Sequence, residues 1–415
     1  MAELVNLNRE RLLERFLRYV RVNTTACAET DVYPSSNGQW ELGKIVLAEL
    51  EELGAQDAHV DEYGLVWALL PGNVEGAPTI AWNSHLDTSP ETTGENVKPQ
   101  VIESYAGGDI PLSGDKSKII TMAESPELNE LIGKTLITTD GTTLLGGDDK
   151  AGIAIIMEAA NYLTEHPDIK HGPIRILFTC DEEIGRGVNH VDIGKVGAVA
   201  AYTLDGGGAG DIDVETFSAD GLTVKVKGIN IHPSIAKDRM VNALRAAGAF
   251  LDRLPQDQAP ETTAGRVGFI HPYVLEGGVA EVTIRILLRD FETAELQVKA
   301  DIVRDIATQV EQDFPGISIQ VDHQKQYRNM ADGLPKEPRA VEFAELAHRE
   351  LGLKYRLSAI RGGTDGSMLT EKGLPTPNLS SGQHTQHSPL EWVCLDEMIQ
   401  QGQVLIQTAV LWGQA

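Results

Sequence analysis

Cysteine and long apolar stretches are both scarce in this chain of 415 residues. The three cysteines, Cys27, Cys180 and Cys394, cannot all pair, and their spacing matches no zinc-binding cysteine pattern. No run of about 18 uncharged apolar residues is present, so we expect no membrane-spanning helix. Charged residues interrupt the first eleven positions, so we expect no signal peptide. These absences predict a cytoplasmic protein.

Basic residues are also few relative to acidic ones. The chain has 35 Lys and Arg against 61 Asp and Glu, which gives a formal net charge of −26. Such a surface repels phosphate backbones and anionic lipids. The composition therefore argues against nucleic acid or a membrane as a partner.

Apolar periodicity predicts alternating helices and strands in the two outer parts of the chain. Helices are predicted at 8–22, 39–53, 150–163, 336–352 and 394–411, and strands at 65–70, 79–83, 174–179 and 198–204. Residues 88–140 are rich in Gly, Pro, Ser and Thr, which is typical of loops and hairpins. Alternation of this kind predicts an α/β fold with a largely parallel, mixed central sheet flanked by helices.

A second pattern begins after residue 215. Strands at 222–227, 279–288 and 317–322 alternate with helices at 239–253 and 292–313. A unit of this size can form its own α+β domain with a sheet solvated on one face. We therefore predict that residues 216–326 are a smaller domain inserted into a discontinuous larger one, formed by residues 1–215 and 327–415.

Acidic residues and histidines cluster where the predicted strands end. The clusters are WNSHLDTSP at 82–90, GGDDKAG at 146–152, TCDEEIG at 179–185, LDGGG at 204–208 and SGQHTQHSPLE at 381–391. Each cluster alone has an ordinary explanation, because acids at a helix start or a strand end are usually capping or solvated groups. Three adjacent carboxylates after an apolar strand repel one another unless cations neutralise them.

Together, these clusters predict a metal site. The oxygen- and imidazole-rich set that suits zinc or a similar divalent ion is His85, Asp148, Glu183, Asp205 and His387. Five such ligands serve two metal ions if one carboxylate bridges them. Glu182 would then be a general base for a metal-bound water, and Asp87 would orient the His85 imidazole. His384 is an alternative to His387 as the last ligand.

The order of these motifs resembles that of the di-zinc exopeptidases, the family that includes carboxypeptidase G, aminoacylases and succinyl-diaminopimelate desuccinylase. The finer likeness is to bacterial tripeptide aminopeptidases. The matching phrases are SHLDTSP (84–90), GGDI (107–110), TLITTDGTTLLGGDDKAGIA (135–154), DEEIGRG (181–187), AYTLDGGG (201–208), NIHPSIAK (230–237), RDF (289–291), RGGTDG (361–366) and GLPTPNL (373–379). They run in order over almost the whole chain.

The resemblance implies roles for the site residues. One metal ion would be held by His85, Asp148 and Asp205, and the other by Asp148, Glu183 and His387, with Asp148 as the bridge. Glu182 would accept the proton, and Asp87 would orient His85. The family's ligand histidine stands four residues before an acidic residue, an aromatic residue and Val. Here those residues are Glu391, Trp392 and Val393, which favours His387 over His384.

The same resemblance implies the activity. It predicts a catalytic domain interrupted by a lid domain, with His232, Arg289 and Arg361 contacting the substrate. It further implies two Zn²⁺ per subunit, with Co²⁺ or Mn²⁺ able to substitute, and a monomer or homodimer. The expected function is an aminopeptidase that releases the first residue of small peptides, chiefly tripeptides. The alternatives are a related dipeptidase, an N-acyl amino acid hydrolase, or a metal-dependent peptide-binding protein without catalysis.

Overall fold

The chain forms two compact units. A computed structural model describes residues 5–415; residues 1–4, the start of the segment in which no signal peptide is expected, lie outside them. The larger unit contains the residues up to Val214, Gly333–Ser358 and Thr364–Ala415, and the smaller contains Glu215–Asp332 and Ala359–Gly363. The predicted insertion, 216–326, thus falls within the smaller unit, which includes a short segment that the sequence did not associate with it.

Helices account for much of both units. Their bounds are α1 Arg9–Tyr19, α2 Asn37–Glu52, α3 Gly147–Glu165, α4 Ile193–Val196, α5 Ala243–Asp252, α6 Glu295–Asp313, α7 Arg339–Leu351, α8 Asp365–Glu371 and α9 Leu395–Gly413. Helix α1 begins after Asn8, whose side chain accepts the Arg11 backbone N–H. None of the helices in residues 5–415 has the length and hydropathy needed to cross a bilayer.

The strands fall into one large sheet, one smaller sheet and a short hairpin. Their bounds are β1 Gln56–Val60, β2 Val66–Leu70, β3 Ile80–His85, β4 Gln100–Ile102, β5 Ile110–Pro111, β6 Ile119–Ile120, β7 Leu136–Thr138, β8 Ile174–Thr179, β9 Ala200–Gly207, β10 Asp211–Thr216, β11 Ser218–Lys227, β12 Phe269–Gly277, β13 Glu281–Asp290, β14 Ser318–Tyr327, β15 Arg356–Ile360, β16 Asn378–His384 and β17 Trp392–Cys394.

The large sheet is mixed, as predicted. Its strand order is β1-β2-β8-β3-β9-β16-β17-β7-β4, and β10 joins it beside β16 and β15. Parallel pairs join the four central strands in the order β8, β3, β9 and β16. The pairs β1–β2, β2–β8, β16–β17, β17–β7, β7–β4 and β10–β16 are antiparallel. Every residue of β3 is buried, both the apolar first half, Ile80–Trp82, and the polar residues Asn83, Ser84 and His85 that lead into the strand end. The α/β prediction is confirmed, with a shorter parallel portion than the sequence suggested.

The smaller unit has its own sheet and core. Its strand order is β12-β13-β11-β14, and all neighbouring strands are antiparallel. Helices α5 and α6 cover one face with a separate apolar cluster that includes Phe250, Val303 and Ile284. Burial alternates along β13, as expected for a sheet with one covered face.

Candidate active site

The carboxyl ends of three neighbouring parallel strands lie side by side in the large sheet. Strand β3 ends at His85, β8 ends at Thr179, and Asp205 lies near the end of β9. His85 is directly opposite Thr179 in the parallel register, so the turn that carries Glu182 and Glu183 begins beside it. Open α/β sheets commonly bind ligands outside these strand ends. Three distant sequence motifs are therefore brought to one place by the sheet topology.

A fourth motif reaches this place through the turn before α3. Gly146 has φ +82°, a backbone conformation that favours glycine. A β-carbon on Gly147 would lie 2.5 Å from Val393 Cγ2, so the turn packs too closely for a side chain there. Asp148 and Asp149 have non-helical backbone angles, so the regular part of α3 begins after them. Asp148 therefore precedes the regular helix, and its side chain lies beside the residues at the strand ends.

The two carboxylate oxygens of Asp148 face two different histidines. His85 Nε2 lies 3.0 Å from Asp148 Oδ1, and His387 Nε2 lies 3.3 Å from Asp148 Oδ2. His387 Nε2 also lies 3.0 Å from Glu183 Oε2. On the other side, His85 Nε2 lies 3.7 Å from Asp205 Oδ1. Asp148 is therefore the residue shared by two histidine–carboxylate clusters.

Asp149 also belongs to this region, although it was not among the residues predicted from the sequence. Two sets of side chains have donor atoms close enough to hold one metal ion: His85, Asp148 and Glu183, and His85, Asp149 and Asp205. Asp149 is fully buried, and its Oδ2 accepts the His85 backbone N–H at 3.2 Å. Its position directly after Asp148 in a cluster of two acids was the signal available in the sequence.

Three acidic groups of the site, Glu182, Glu183 and Asp205, are held where ionisation is unfavourable. Despite burial, hydrogen bonds from His387 and His85 instead lower the pKa of Asp148. Burial raises the pKa of Glu183 to about 8, and the nearby Asp148 carboxylate acts in the same direction. Burial raises the pKa of Asp205 to about 7 and the pKa of Glu182 well above its ordinary value. Although burial opposes it, hydrogen bonding to Asp148 and Glu183 raises the pKa of His387 to about 11. The site thus concentrates acidic groups away from water.

Asp87 connects the first histidine to the acidic turn. Its Oδ1 and Oδ2 accept the backbone N–H groups of Glu182 and Glu183, each at 3.0 Å. Its Oδ1 also lies 3.5 Å from His85 Nδ1, and that nitrogen is 3.1 Å from the Asp87 carbonyl oxygen. Asp87 is therefore placed to orient both the imidazole and the turn.

The two C-terminal histidines have different surroundings. His387 lies with Asp148 and Glu183, and its Nδ1 is 3.3 Å from the exposed carboxylate of Glu91. His384 instead stacks on Trp392, with ring centroids 3.8 Å apart, and its Nε2 is 2.7 Å from Glu397. His384 also helps line a cavity of about 870 Å³.

The predicted substrate-binding residues all lie in the smaller unit. His232 is exposed, and its Nδ1 accepts the Ser234 backbone N–H at 3.3 Å. Arg289 donates to Gln326 Oε1 at 3.0 Å. Arg361 donates to the carbonyl oxygens of Gly265 and Val267 at 2.7 and 2.8 Å, so most of its guanidinium is engaged by a loop.

Three polar residues that contact the site were not predicted as members of it. Gln383 is buried and donates to Asp205 Oδ1 at 3.2 Å. The Asn378 side-chain oxygen accepts the Asp205 backbone N–H at 2.9 Å. Glu391, which the sequence analysis used only to choose between two histidines, accepts three backbone N–H groups of the Asp148 turn. The sequence carried no signal for Gln383 and Asn378, because the polar strand β16 on which they lie was not predicted.

Sequence comparison agrees with the motif-based resemblance. A family model described as peptidase family M20/M25/M40 matches residues 141–410. Peptidase T of Geobacillus thermodenitrificans is 43% identical over 407 residues, which cover 98% of this chain and 99% of that protein. The predicted resemblance is therefore confirmed.

Solved structures share the fold over nearly the whole chain. The aminopeptidase PepT from Bacillus cereus has a TM-score of 0.75 at 23% identity, covering 98% of this chain and 99% of its own. A tripeptidase from Staphylococcus aureus has a TM-score of 0.77 at 21% identity, covering 99% of this chain and 100% of its own. A Bacillus subtilis protein, described as a dinuclear metal binding peptidase, has a TM-score of 0.65 at 17% identity. The match covers 97% of this chain and 98% of that protein. Because the family model covers most of the chain and the Geobacillus relative matches nearly all of it, this chain belongs to peptidase family M20/M25/M40.

Proposed function

We propose that this peptidase is a metal-dependent aminopeptidase that releases the N-terminal residue from tripeptides. The single observation that carries the metal dependence is the position of Asp148, whose two oxygens face His85 and His387 separately. A carboxylate placed in this way could bridge the two ions of a two-metal site, in which the ions lie about 3.5–4 Å apart. The preference for tripeptides rests on the likeness to Peptidase T and to a tripeptidase.

The donor set fits divalent metal ions. The side chains of Asp148, Glu183 and Asp205 are only 13%, 5% and 10% exposed. Glu183 Oε1 is buried, and no residue of 5–415 forms a hydrogen bond with it. Buried carboxylates of this kind are normally paired or coordinate a metal. Carboxylate oxygens and imidazole nitrogens suit zinc, and also cobalt or manganese.

We assign the ligands as the sequence predicted. One Zn²⁺ would bind His85, Asp148 and Asp205, and the second would bind Asp148, Glu183 and His387. The distances among these side chains support both sets, although Asp149 is an additional buried carboxylate beside the first. Co²⁺ or Mn²⁺ would serve with the same donors.

Glu182 is the proposed proton acceptor. When bound, the metal pair supplies Lewis acidity toward water and toward the scissile carbonyl. Glu182 takes a proton from the attacking water, whose oxygen bonds to the carbonyl carbon, and returns the proton to the leaving amine as the C–N bond breaks. Burial raises the pKa of Glu182, which makes its carboxylate a stronger proton acceptor. Asp87 holds the Glu182 backbone in place for it.

We further propose that His232, Arg289 and Arg361 take part in substrate binding. The contact of His232 Nδ1 with the Ser234 backbone N–H leaves Nε2 as the protonated nitrogen of the neutral ring, able to donate to a developing oxyanion. Arg289 is the candidate for the peptide carboxylate, because a guanidinium pairs with it bidentately. A cytoplasmic location and a monomeric or homodimeric state belong to the same proposal.

A peptide-length panel tests the function. The full chain is stripped with a chelator and assayed on di-, tri- and tetrapeptides and on N-acyl amino acids, with and without added zinc, cobalt or manganese. We expect metal-dependent release of the first residue, fastest from tripeptides. A Glu182→Gln preparation controls for contaminating peptidases.

Other outcomes would identify the alternatives. Preferred cleavage of dipeptides or of N-acyl amino acids would favour the related hydrolases. Metal-dependent peptide binding without hydrolysis would favour a non-catalytic binding protein.

A further inference from the structure

Glu391 is a buried carboxylate that no proposed catalytic step uses. It precedes β17, and its side chain is 0% exposed. Its Oε2 accepts the backbone N–H groups of Leu145 and Gly146 at 2.7 and 2.8 Å, and its Oε1 accepts the Asp148 N–H at 3.0 Å. Within residues 5–415, the hydrogen bonds that the Glu391 carboxylate accepts all come from the turn that carries the candidate bridging ligand.

Strand β17, which directly follows Glu391, is held on both sides in the large sheet. Strand β17 pairs on one side with β16, where Gln383 is opposite Val393, and on the other with β7. A β-carbon on Gly147 would lie 2.5 Å from Val393 Cγ2 and 3.1 Å from Glu391 Oε1. The turn therefore lies directly against the strand, with no space for it to shift toward Glu391.

The position of Asp148 must be precise, because its two carboxylate oxygens face two different histidines. Asp148 Oδ1 lies 3.0 Å from His85 Nε2, while Oδ2 lies 3.3 Å from His387 Nε2. A backbone displacement of about 1 Å would move at least one Asp148 oxygen out of line with its histidine. Ligand positions of this precision are maintained by hydrogen bonds from the surrounding residues. A comparable arrangement holds the acidic turn, where Asp87 accepts the N–H groups of Glu182 and Glu183.

We propose that Glu391 is a positioning residue for the metal pair: by binding three backbone N–H groups, it fixes Asp148 where one carboxylate reaches both metal ions. This inference rests on the proposed function, since it assumes that Asp148 is the bridge. It concerns a different residue and a different measurement from the proton transfer by Glu182. The competing explanation is that Glu391 only stabilises the fold.

Metal affinity separates these two roles. Apo forms of the wild type, Glu391→Gln and Glu391→Asp are titrated with zinc against a chromophoric chelator, and the melting temperature of each apo protein is measured. In the Gln variant an amide N–H₂ replaces an acceptor and faces backbone donors. Loss of a residue that orients a metal ligand typically costs about 10–100-fold in affinity, and we expect that loss here. The Asp variant keeps the charge and should bind with intermediate affinity.

Glu397→Gln is the matched control. Glu397 is a partly buried carboxylate nearby in sequence, but it pairs with His384 rather than with the Asp148 turn. The zinc affinity of Glu397→Gln should stay within about twofold of the wild-type value. That change is far smaller than the loss expected for Glu391→Gln. If Glu391→Gln does not fold, the Asp variant carries the test, because reduced zinc affinity there is still expected.

The results distinguish this inference from the proposed function. Wild-type zinc affinity in the Glu391 variants, even with a lowered melting temperature, would overturn the positioning role and leave the peptidase mechanism intact. Absence of zinc, cobalt and manganese binding by the wild type would instead contradict the proposed metal dependence.

Discussion

The carboxylate of Asp87 accepts the backbone N–H groups of both Glu182 and Glu183 at 3.0 Å. The candidate base and a candidate metal ligand are thus held by the residue that also approaches His85 Nδ1. One side chain therefore links the first histidine motif to the acidic motif almost a hundred residues later. This link is consistent with the fact that all of these residues lie at strand ends of one sheet.

Replacing Asp87 by Asn should weaken this link without changing side-chain size. One carboxylate oxygen becomes an N–H₂ group that faces a backbone donor, so we expect about 10–100-fold weaker metal binding and a lower kcat. Zinc titration and steady-state kinetics measure both. Asp61→Asn is the matched control, because Asp61 also accepts two backbone N–H groups, those of Tyr63 and Leu65, in a different turn. Equal effects of both substitutions would contradict a specific role for Asp87.

Glu182→Gln should leave the metal content unchanged, whereas Asp148→Ala should lower it. The Glu182 variant should retain metal but lose about 10²–10⁴-fold or more in kcat, because a general base has been removed. The Asp148 variant should lose metal, because it removes the proposed bridge. Metal analysis of the purified proteins, combined with turnover on a tripeptide, measures both quantities. Near wild-type turnover in Glu182→Gln would eliminate Glu182 as the base.

The two C-terminal histidines provide a paired test of the last ligand. His387→Ala should reduce metal content, because His387 lies 3.0 Å from Glu183 and 3.3 Å from Asp148. His384→Ala should keep its metal, since His384 contacts Trp392 and Glu397 instead. Loss of those contacts should lower the stability of the fold by about 1–2 kcal/mol. Metal loss confined to His384→Ala would reverse the assignment.

Blocking the ends of a good tripeptide tests the aminopeptidase specificity. Acetylating the N-terminus should abolish turnover. Amidating the C-terminus should lower kcat/KM at least about tenfold in the wild type, because an arginine would lose its charged partner. The penalty should be much smaller in Arg289→Ala, but unchanged in Arg285→Ala, a control on the same strand β13. Ready hydrolysis of the acetylated peptide would instead support the acylase alternative.

His348 should make the fold sensitive to acid. It is fully buried, and burial lowers the pKa of His348 below its ordinary value. As the pH falls below about 6.5, the unfolded chain binds a proton that the folded state resists, so the free energy of unfolding decreases by up to about 1.4 kcal/mol per pH unit from this group. His348→Leu should reduce this decrease in urea titrations at about pH 7 and pH 5, whereas the exposed His190→Leu control should not. Identical decreases in all three proteins would contradict the prediction.

Much of the fold was predictable because apolar patterns report burial. Strand β8 occupies Ile174–Thr179, the range that its apolar run predicts, and α9 begins within one residue of its predicted start. Strand β16 was missed, because its sequence NLSSGQH is polar although six of its seven residues are buried. Several of its polar side chains are hydrogen-bonded to neighbours, as when Asn378 donates to Asp213 at 2.9 Å. Such burial is a property of the assembled sheet rather than of the segment.

The sequence alone determined which residue types stand at the strand ends, and those types already indicated metal chemistry. Only the tertiary structure decided which of them meet. It placed His387 rather than His384 beside Asp148, and it brought Glu391 to the backbone of a turn more than two hundred residues away. The reason is that strand order, with β3 between β8 and β9 and with β16 beside β9, is set by packing the whole sheet. No local spacing encodes that order, so the partners of each site residue emerge only when the sheet is complete.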